Sequence, residues 1–169
     1  MLFKSIAAVA FLATTVIADG AAIIKSLNTI DKDIAALNAT VVKFNGNLFD
    51  TFPILGATNT LNNDLDQGTT TAKKSANLTD TETFALVGPV SQLSADANIT
   101  LTNLINKKAD FEKLFLTGII KLVLQDSKSK ADAYSSAIIA KVPTAYKSIA
   151  QNLVAPLDAG FQKAIDTYS

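Results

Sequence analysis

Fifteen lysines, fifteen aspartate or glutamate side chains and a scatter of Ser and Thr hydroxyls are the main groups on this chain that could do polar chemistry. His, Cys and Trp are absent, and every basic residue is Lys. No imidazole is available as a base near neutral pH. No thiolate can serve as nucleophile or soft metal ligand. No guanidinium can grip a phosphate or carboxylate in a fork. The carboxylates do not assemble into a catalytic pair either. Asp31 with Asp33, and Asp64 with Asp66, stand two residues apart, which on a helix puts the two members on different faces. Without His, the Glu-x-x-His set of a di-iron bundle cannot form. Asp64-Leu65-Asp66-Gln67-Gly68 starts like a calcium loop but lacks its terminal Glu at the right distance. No Ser lies in a Gly-x-Ser-x-Gly context. Ser127-Lys128-Ser129-Lys130 reads as an exposed helix face rather than a Ser–Lys dyad. No catalytic residue, metal ligand or cofactor is expected, and the chain is not read as an enzyme.

What must position those sparse polar groups is a large apolar content, 49% of 169 residues, at zero formal charge. That length is one domain's worth. A nucleic-acid partner would need a basic face, and the short clusters Lys73-Lys74 and Lys107-Lys108 do not make one. Residues 1–18 read as a secretory signal peptide: Lys4, then the apolar stretch Ile6 to Ile17, then Val16-Ile17-Ala18 at the cleavage positions. The stretch is shorter than the ~20 apolar residues of a membrane span. The longest later apolar run, Leu114 to Leu124, is broken by Thr117, Gly118 and Lys121, so no transmembrane segment is expected. Residues 19–169 then form a single secreted domain without disulfides. Its last residues, Tyr168-Ser169, lack the hydrophobic tail of a glycolipid-anchor signal. Asn38, Asn77 and Asn98 each open an N-glycosylation acceptor tripeptide, with Asn77 in the most loop-like stretch.

The domain reads as helix after helix. Leu27, Ile30, Ile34, Leu37, Val41, Phe44 and Leu48 alternate spacings of three and four, a heptad seam. Gly46 should end that helix. A second should begin near Pro53, which suits a first helical turn, and weaken at Gly68. Thr79-Asp80-Thr81-Glu82 is a capping box that opens a third. Pro89 sits inside this third helix and Pro156 inside the last, and each predicts a kink. Phe111, Leu114, Phe115, Ile119, Leu122 and Val123 read as one stripe of a helix apolar on most sides, which belongs in the middle of a bundle. No strand signal competes. The fold class expected is all-α, an antiparallel bundle of four to six helices, some kinked at proline. The apolar stripes are core on the plainer reading. Prolines that splay long helices, and faces mixing Ala with Phe and Leu, also allow a lipid-sized cavity.

Several blocks resemble a known family. They are Leu86-Val87-Gly88-Pro89-Val90 with Leu93, Leu104-Ile105-Asn106-Lys107-Lys108-Ala109-Asp110-Phe111, Asp126-Ser127-Lys128 through Ala140-Lys141-Val142-Pro143, and Leu153-Val154-Ala155-Pro156-Leu157-Asp158. Together they are similar to the fungal hydrophobic surface-binding protein A family, which includes the antigenic cell-wall galactomannoproteins. The resemblance covers nearly all of residues 19–169. It implies a secreted or wall-associated helical bundle that is not an enzyme. Some members resemble lipid carriers that hold a long-chain fatty acid between helices; others adsorb to hydrophobic surfaces. Wall-anchored members carry a Ser/Thr-rich stalk and a lipid-anchor signal, and this chain shows neither, so a free secreted form is expected.

The expected partner is therefore a fatty acid or other lipid. Its acyl chain would lie against Leu86, Val90, Phe111, Phe115, Ile119, Leu157 and Phe161, with Gln92 or Ser136 holding the head group because no Arg is available. The alternative is a surface-active, cell-wall or antigenic protein with no interior ligand, adsorbing through exposed Phe49, Phe52, Ile54 and Leu55.

Overall fold

The computed structural model describes residues 19–169, and the expected signal peptide lies outside the described residues. In chain order the helices are α1 (Asp19–Lys43), α2 (Thr51–Lys74), α3 (Asp80–Asn106), the short α4 (Lys108–Lys113), α5 (Thr117–Lys141) and α6 (Lys147–Thr167). Single 3-10 turns at Leu48–Asp50 and Thr144–Tyr146 lead into α2 and α6. No strand occurs among the described residues.

The five long helices close into a ring. α1 packs on α2 and α3, α2 on α5, α5 on α6, and α6 back on α3. Successive long helices run in opposite directions, as expected of an up-and-down bundle, but neighbours in space do not all do so. α1 and α3 lie parallel, tied at one end by the Gly20 N–H donating to Glu82 and near the other by Asn103 donating to Asn38. α2 and α5 are parallel through Ser127 to Asn62 and Lys130 to Asp66, and α3 and α6 through Asn98 to Pro156 and Tyr168 to Leu104.

Local sequence explains where the elements start and stop. The Thr79 hydroxyl accepts from the Glu82 N–H at 3.2 Å, and the Glu82 carboxylate accepts from the Thr79 N–H at 2.9 Å, completing the capping box. The same carboxylate accepts from the Gly20 N–H at 3.2 Å, so one acidic side chain caps α3 and anchors the first turn of α1. Those donors hold the Glu82 carboxyl below its usual range, Thr79 first. α1 stops at Lys43, and Gly46 turns the chain with φ +88°. Leu48 therefore falls beyond the helix and is exposed instead of closing the seam. Pro53 sits in the first turn of α2. Gly68 does not weaken α2: a Cβ there would stand 2.9 Å from the Tyr134 ring, so the glycine lets α5 approach. α3 and α6 both continue through their prolines. The missing N–H groups leave the Ala85 and Asn152 carbonyls free, and both residues are exposed to water.

One element differs from the sequence expectation. The apolar run after Asp110 is not one helix. Phe115 takes a left-handed backbone, φ 58°, and the chain turns a corner between α4 and α5. Residues before and after the corner cannot share a face. Phe111 turns inward and stacks on Phe44 with ring centroids 4.3 Å apart, with Tyr168 edge-on to it at 6.1 Å. The Tyr168 O–H donates to the Leu104 carbonyl at 2.6 Å, and Lys107 Nζ donates to the Phe44 carbonyl at 2.5 Å. This aromatic plug seals one end of the ring. Phe44 and Phe111 are fully buried, each contributing about 1.5–3 kcal/mol.

Candidate functional site

Each long helix turns a row of residues spaced three and four apart toward the ring axis. On α1 the row is Ile30, Ile34, Leu37 and Val41; on α2, Ile54, Thr58, Leu61 and Leu65; on α5, Ile120, Leu124, Ser127 and Ala131. With Leu93, Ala97 and Leu101 of α3 and Leu157 and Phe161 of α6, these rows line a chamber of about 810 Å³, counting its open mouth. A second chamber of about 790 Å³, on the same terms, lies toward the capped end of α3. Its walls include Leu86 and Val90 of α3, Tyr134 and Ile138 of α5, and Leu153 of α6. Leu93 and Leu157 line both chambers and form the junction between them. Most of that space is open to solvent: the void within each chamber is about 80 Å³, below the range of about 300–1,000 Å³ common to small-molecule sites, so a guest would have to part the side chains that line it.

Among the described residues, no charged side chain lines either chamber. In the first chamber the polar side chains are hydroxyls that have found partners in the protein. Thr58 donates to the Ile54 carbonyl, Thr100 to the Asp96 carbonyl and Ser127 to the Asn62 amide oxygen, each at 2.9 Å. Tyr134 presents its ring to the second chamber while its hydroxyl meets Ser26 at 2.5 Å between α1 and α5. Burial pushes its phenol up to about 12, against the pull of the Ser26 bond. Tyr134 thus stays neutral across the ordinary pH range and serves as wall.

The expected site residues divide. Leu86 and Val90 line the second chamber, Phe161 the first, and Leu157 both. The others are corrected. Phe111 belongs to the aromatic plug. Phe115 is 93% exposed because its left-handed backbone throws it outside the corner. Ile119 is half exposed, since α5 begins only at Thr117 and presents Ile120, not Ile119, to the axis. Gln92 lies on the outer face of α3 and donates to Asp96 at 2.7 Å. Ser136 faces water, and its neighbour Ser135 lines the second chamber instead. Ile54 and Leu55, expected on an adsorbing surface, line the first chamber, whereas Phe49 and Phe52 are exposed with rings 6.4 Å apart.

Sequence reasoning missed Ser127, which is buried and lines the first chamber, because it opens a polar run that reads as a surface. A signal existed. Ile120, Leu124, Ser127, Ala131, Tyr134 and Ile138 hold three-four spacing once the helix is phased from Thr117.

Such a molecule is a helical bundle with an apolar interior space. Among the described residues, no group of three or more His, Cys, Asp or Glu is placed to hold a metal, and no helix is long and apolar enough to cross a membrane. The chain belongs to the family described as hydrophobic surface binding protein A, whose model matches residues 20–140. It is 32% identical over 133 residues to cell wall mannoprotein 1 of Aspergillus flavus, covering 79% of this chain and 48% of that protein. With the Aspergillus fumigatus protein of the same name it shares 30% over 142 residues, covering 84% and 49%. The chain spans about half the length of these relatives. A solved structure described as AFMP4P in complex with palmitic acid superposes with TM-score 0.85 at 25% identity, covering 89% of this chain and 99% of that one. Ligand binding domain 1 of the Penicillium marneffei MP1 protein, complexed with arachidonic acids, gives the same TM-score and coverage at 24% identity and shares the fold.

Proposed function

We propose that this chain is a secreted, non-enzymatic lipid carrier that holds a long-chain fatty acid or similar lipid along the ring axis, from one chamber into the other past Leu93 and Leu157. The observation that carries this reading is the pair of adjoining chambers, apolar on every helix that faces them. The family relationship and the palmitic acid complex of a protein with the same fold support it. A wall or extracellular location fits the names of the relatives and the signal-like residues 1–18. The first test is native mass spectrometry of protein secreted from a eukaryotic host, followed by organic extraction. A co-purifying lipid near one per chain is expected. A clean unliganded mass that stays so when long-chain lipids are added would sink the reading.

Adsorption to a hydrophobic surface is kept as a second reading because of Phe49, Phe52 and Phe115, which are 74%, 63% and 93% exposed. α2 and α5 both start at the plugged end, so all three aromatics stand at that end, outside the chambers.

A further inference from the structure

If the chambers hold a lipid, the polar head of that lipid meets an unusual set of partners. Among the described residues, no Lys reaches either chamber, and the first chamber offers three hydroxyls at Thr58, Thr100 and Ser127. All three have already donated their protons to the protein. A hydroxyl so used presents only lone pairs to a guest. An ionised carboxylate also presents only lone pairs. It would find neither counter-charge nor donor there, and an uncompensated buried carboxyl takes up a proton instead. The O–H of an alcohol or un-ionised acid suits the same lone pairs. In the second chamber Ser94, beside the junction at Leu93, is buried and makes no side-chain hydrogen bond among the described residues, so it can pair with one neutral head. Ser135 lines the same chamber and likewise makes no side-chain hydrogen bond among the described residues, but two hydroxyls without a cation are a weak holder of a charge.

We propose that the interior site selects lipids with a neutral head group, a fatty alcohol or a fatty acid in its un-ionised form, over the fatty carboxylate. The inference rests on the lipid-carrier reading above and specifies its ligand class.

The test is displacement of a neutral fluorescent probe, N-phenyl-1-naphthylamine, from the wild-type protein by dodecanol and by dodecanoic acid, both kept monomeric. The ratio of the two constants is compared at pH 6 and pH 8, so that any pH effect on the protein itself cancels. Dodecanol should displace with a constant that changes little. Dodecanoic acid should weaken against it by about tenfold per pH unit above the carboxyl's own pKa, or about a hundredfold across the interval. An acid that binds as tightly as the alcohol with a ratio independent of pH would overturn the inference and leave lipid carriage intact. A protein that takes up neither the probe nor either lipid would overturn both.

Discussion

The molecule keeps apolar surface in two places, and the two differ in who made the choice to expose it. Inside the ring, Ile, Leu and Ala meet from five helices, and the space between them is what close packing left unfilled. Outside, at the plugged end, Phe49, Phe52 and Phe115 stand in water with little to pack against. Interior apolar residues need no special explanation beyond folding; a chamber is a shortfall in their packing. Exposed Phe is the more informative observation, especially Phe115. Its left-handed backbone is held by a non-glycine residue at a cost of about 1–2 kcal/mol. Interior space speaks for carrying a lipid, and the exterior aromatics speak for touching a surface. The two regions can be broken independently.

The largest effect should come from filling the interior. Ala97 is buried on α3 and lines the first chamber. Ala97→Phe puts a ring into the space an acyl chain would use, at an overpacking cost of about 1–3 kcal/mol. Lipid recovered by extraction should fall at least tenfold while circular dichroism still reports a helical protein. Retention on hydrophobic beads should not change. Undiminished lipid recovery from a folded variant would mean that the chambers are not the site.

The reverse separation comes next. Phe49→Ser with Phe52→Ser removes the exposed pair and leaves the walls of the first chamber in place. Bead retention should drop several-fold, lipid recovery should hold, and stability should move within about 0.5 kcal/mol because neither ring is buried. Loss of lipid together with adhesion would show that the outer patch and the interior act as one site. Phe115→Gly sharpens this further, because it removes an exposed ring and a backbone penalty at once. Bead retention should fall while the protein gains about 1 kcal/mol, read as a rise in Tm. A fall in Tm would mean that the Phe115 ring supports the corner in a way its exposure does not show.

The same contrast decides what could be read from sequence. Along α1 and at the start of α3 the reading held. The α1 seam from Leu27 to Phe44 is buried except for partly exposed Leu37, and the Thr79–Glu82 capping box opens α3 as its residue types require. The reading failed where one residue resets the phase. Nothing in the apolar run from Leu114 to Leu124 marks Phe115 as left-handed, and a phase carried across it places Ile119 inside and Phe115 with it. Ser127 was hidden for a related reason, since its inward direction is fixed by the start of α5 and by Asn62 on α2, sixty-five positions away. Leu86, Val90, Leu157 and Phe161 could be placed because each follows the period of its own helix. The junction of the chambers depends on how α3 and α6 align, which hinges on Gly160: a Cβ there would overlap the Asn98 amide. That contact spans two helices and is invisible in either alone.

The smallest predicted effect concerns the outer flank of α1, where the ring wall is held by polar rather than apolar contacts. Asp33 faces Asp64 of α2, which also accepts from Gln67, and one Asp33 oxygen is buried without a hydrogen-bond partner among the described residues. Burial, then the hydrogen bond and charge of Asp64, push the Asp33 carboxyl up to about 6 from 3.8. The folded chain therefore holds a proton there that the unfolded chain has already lost. Stability from this pair is complete below pH 3.8 and is lost as pH rises through about 6. Asp33→Asn keeps the shape and cannot ionise. The difference in Tm between variant and wild type should be near zero at pH 4 and should grow in the variant's favour up to pH 8. Because Asp33 lies on the wall and not in the chamber, lipid recovery at pH 5 should be unaffected. A Tm difference that is flat with pH would mean that the pair does not share a proton, and that α1 is held against α2 by its apolar seam alone.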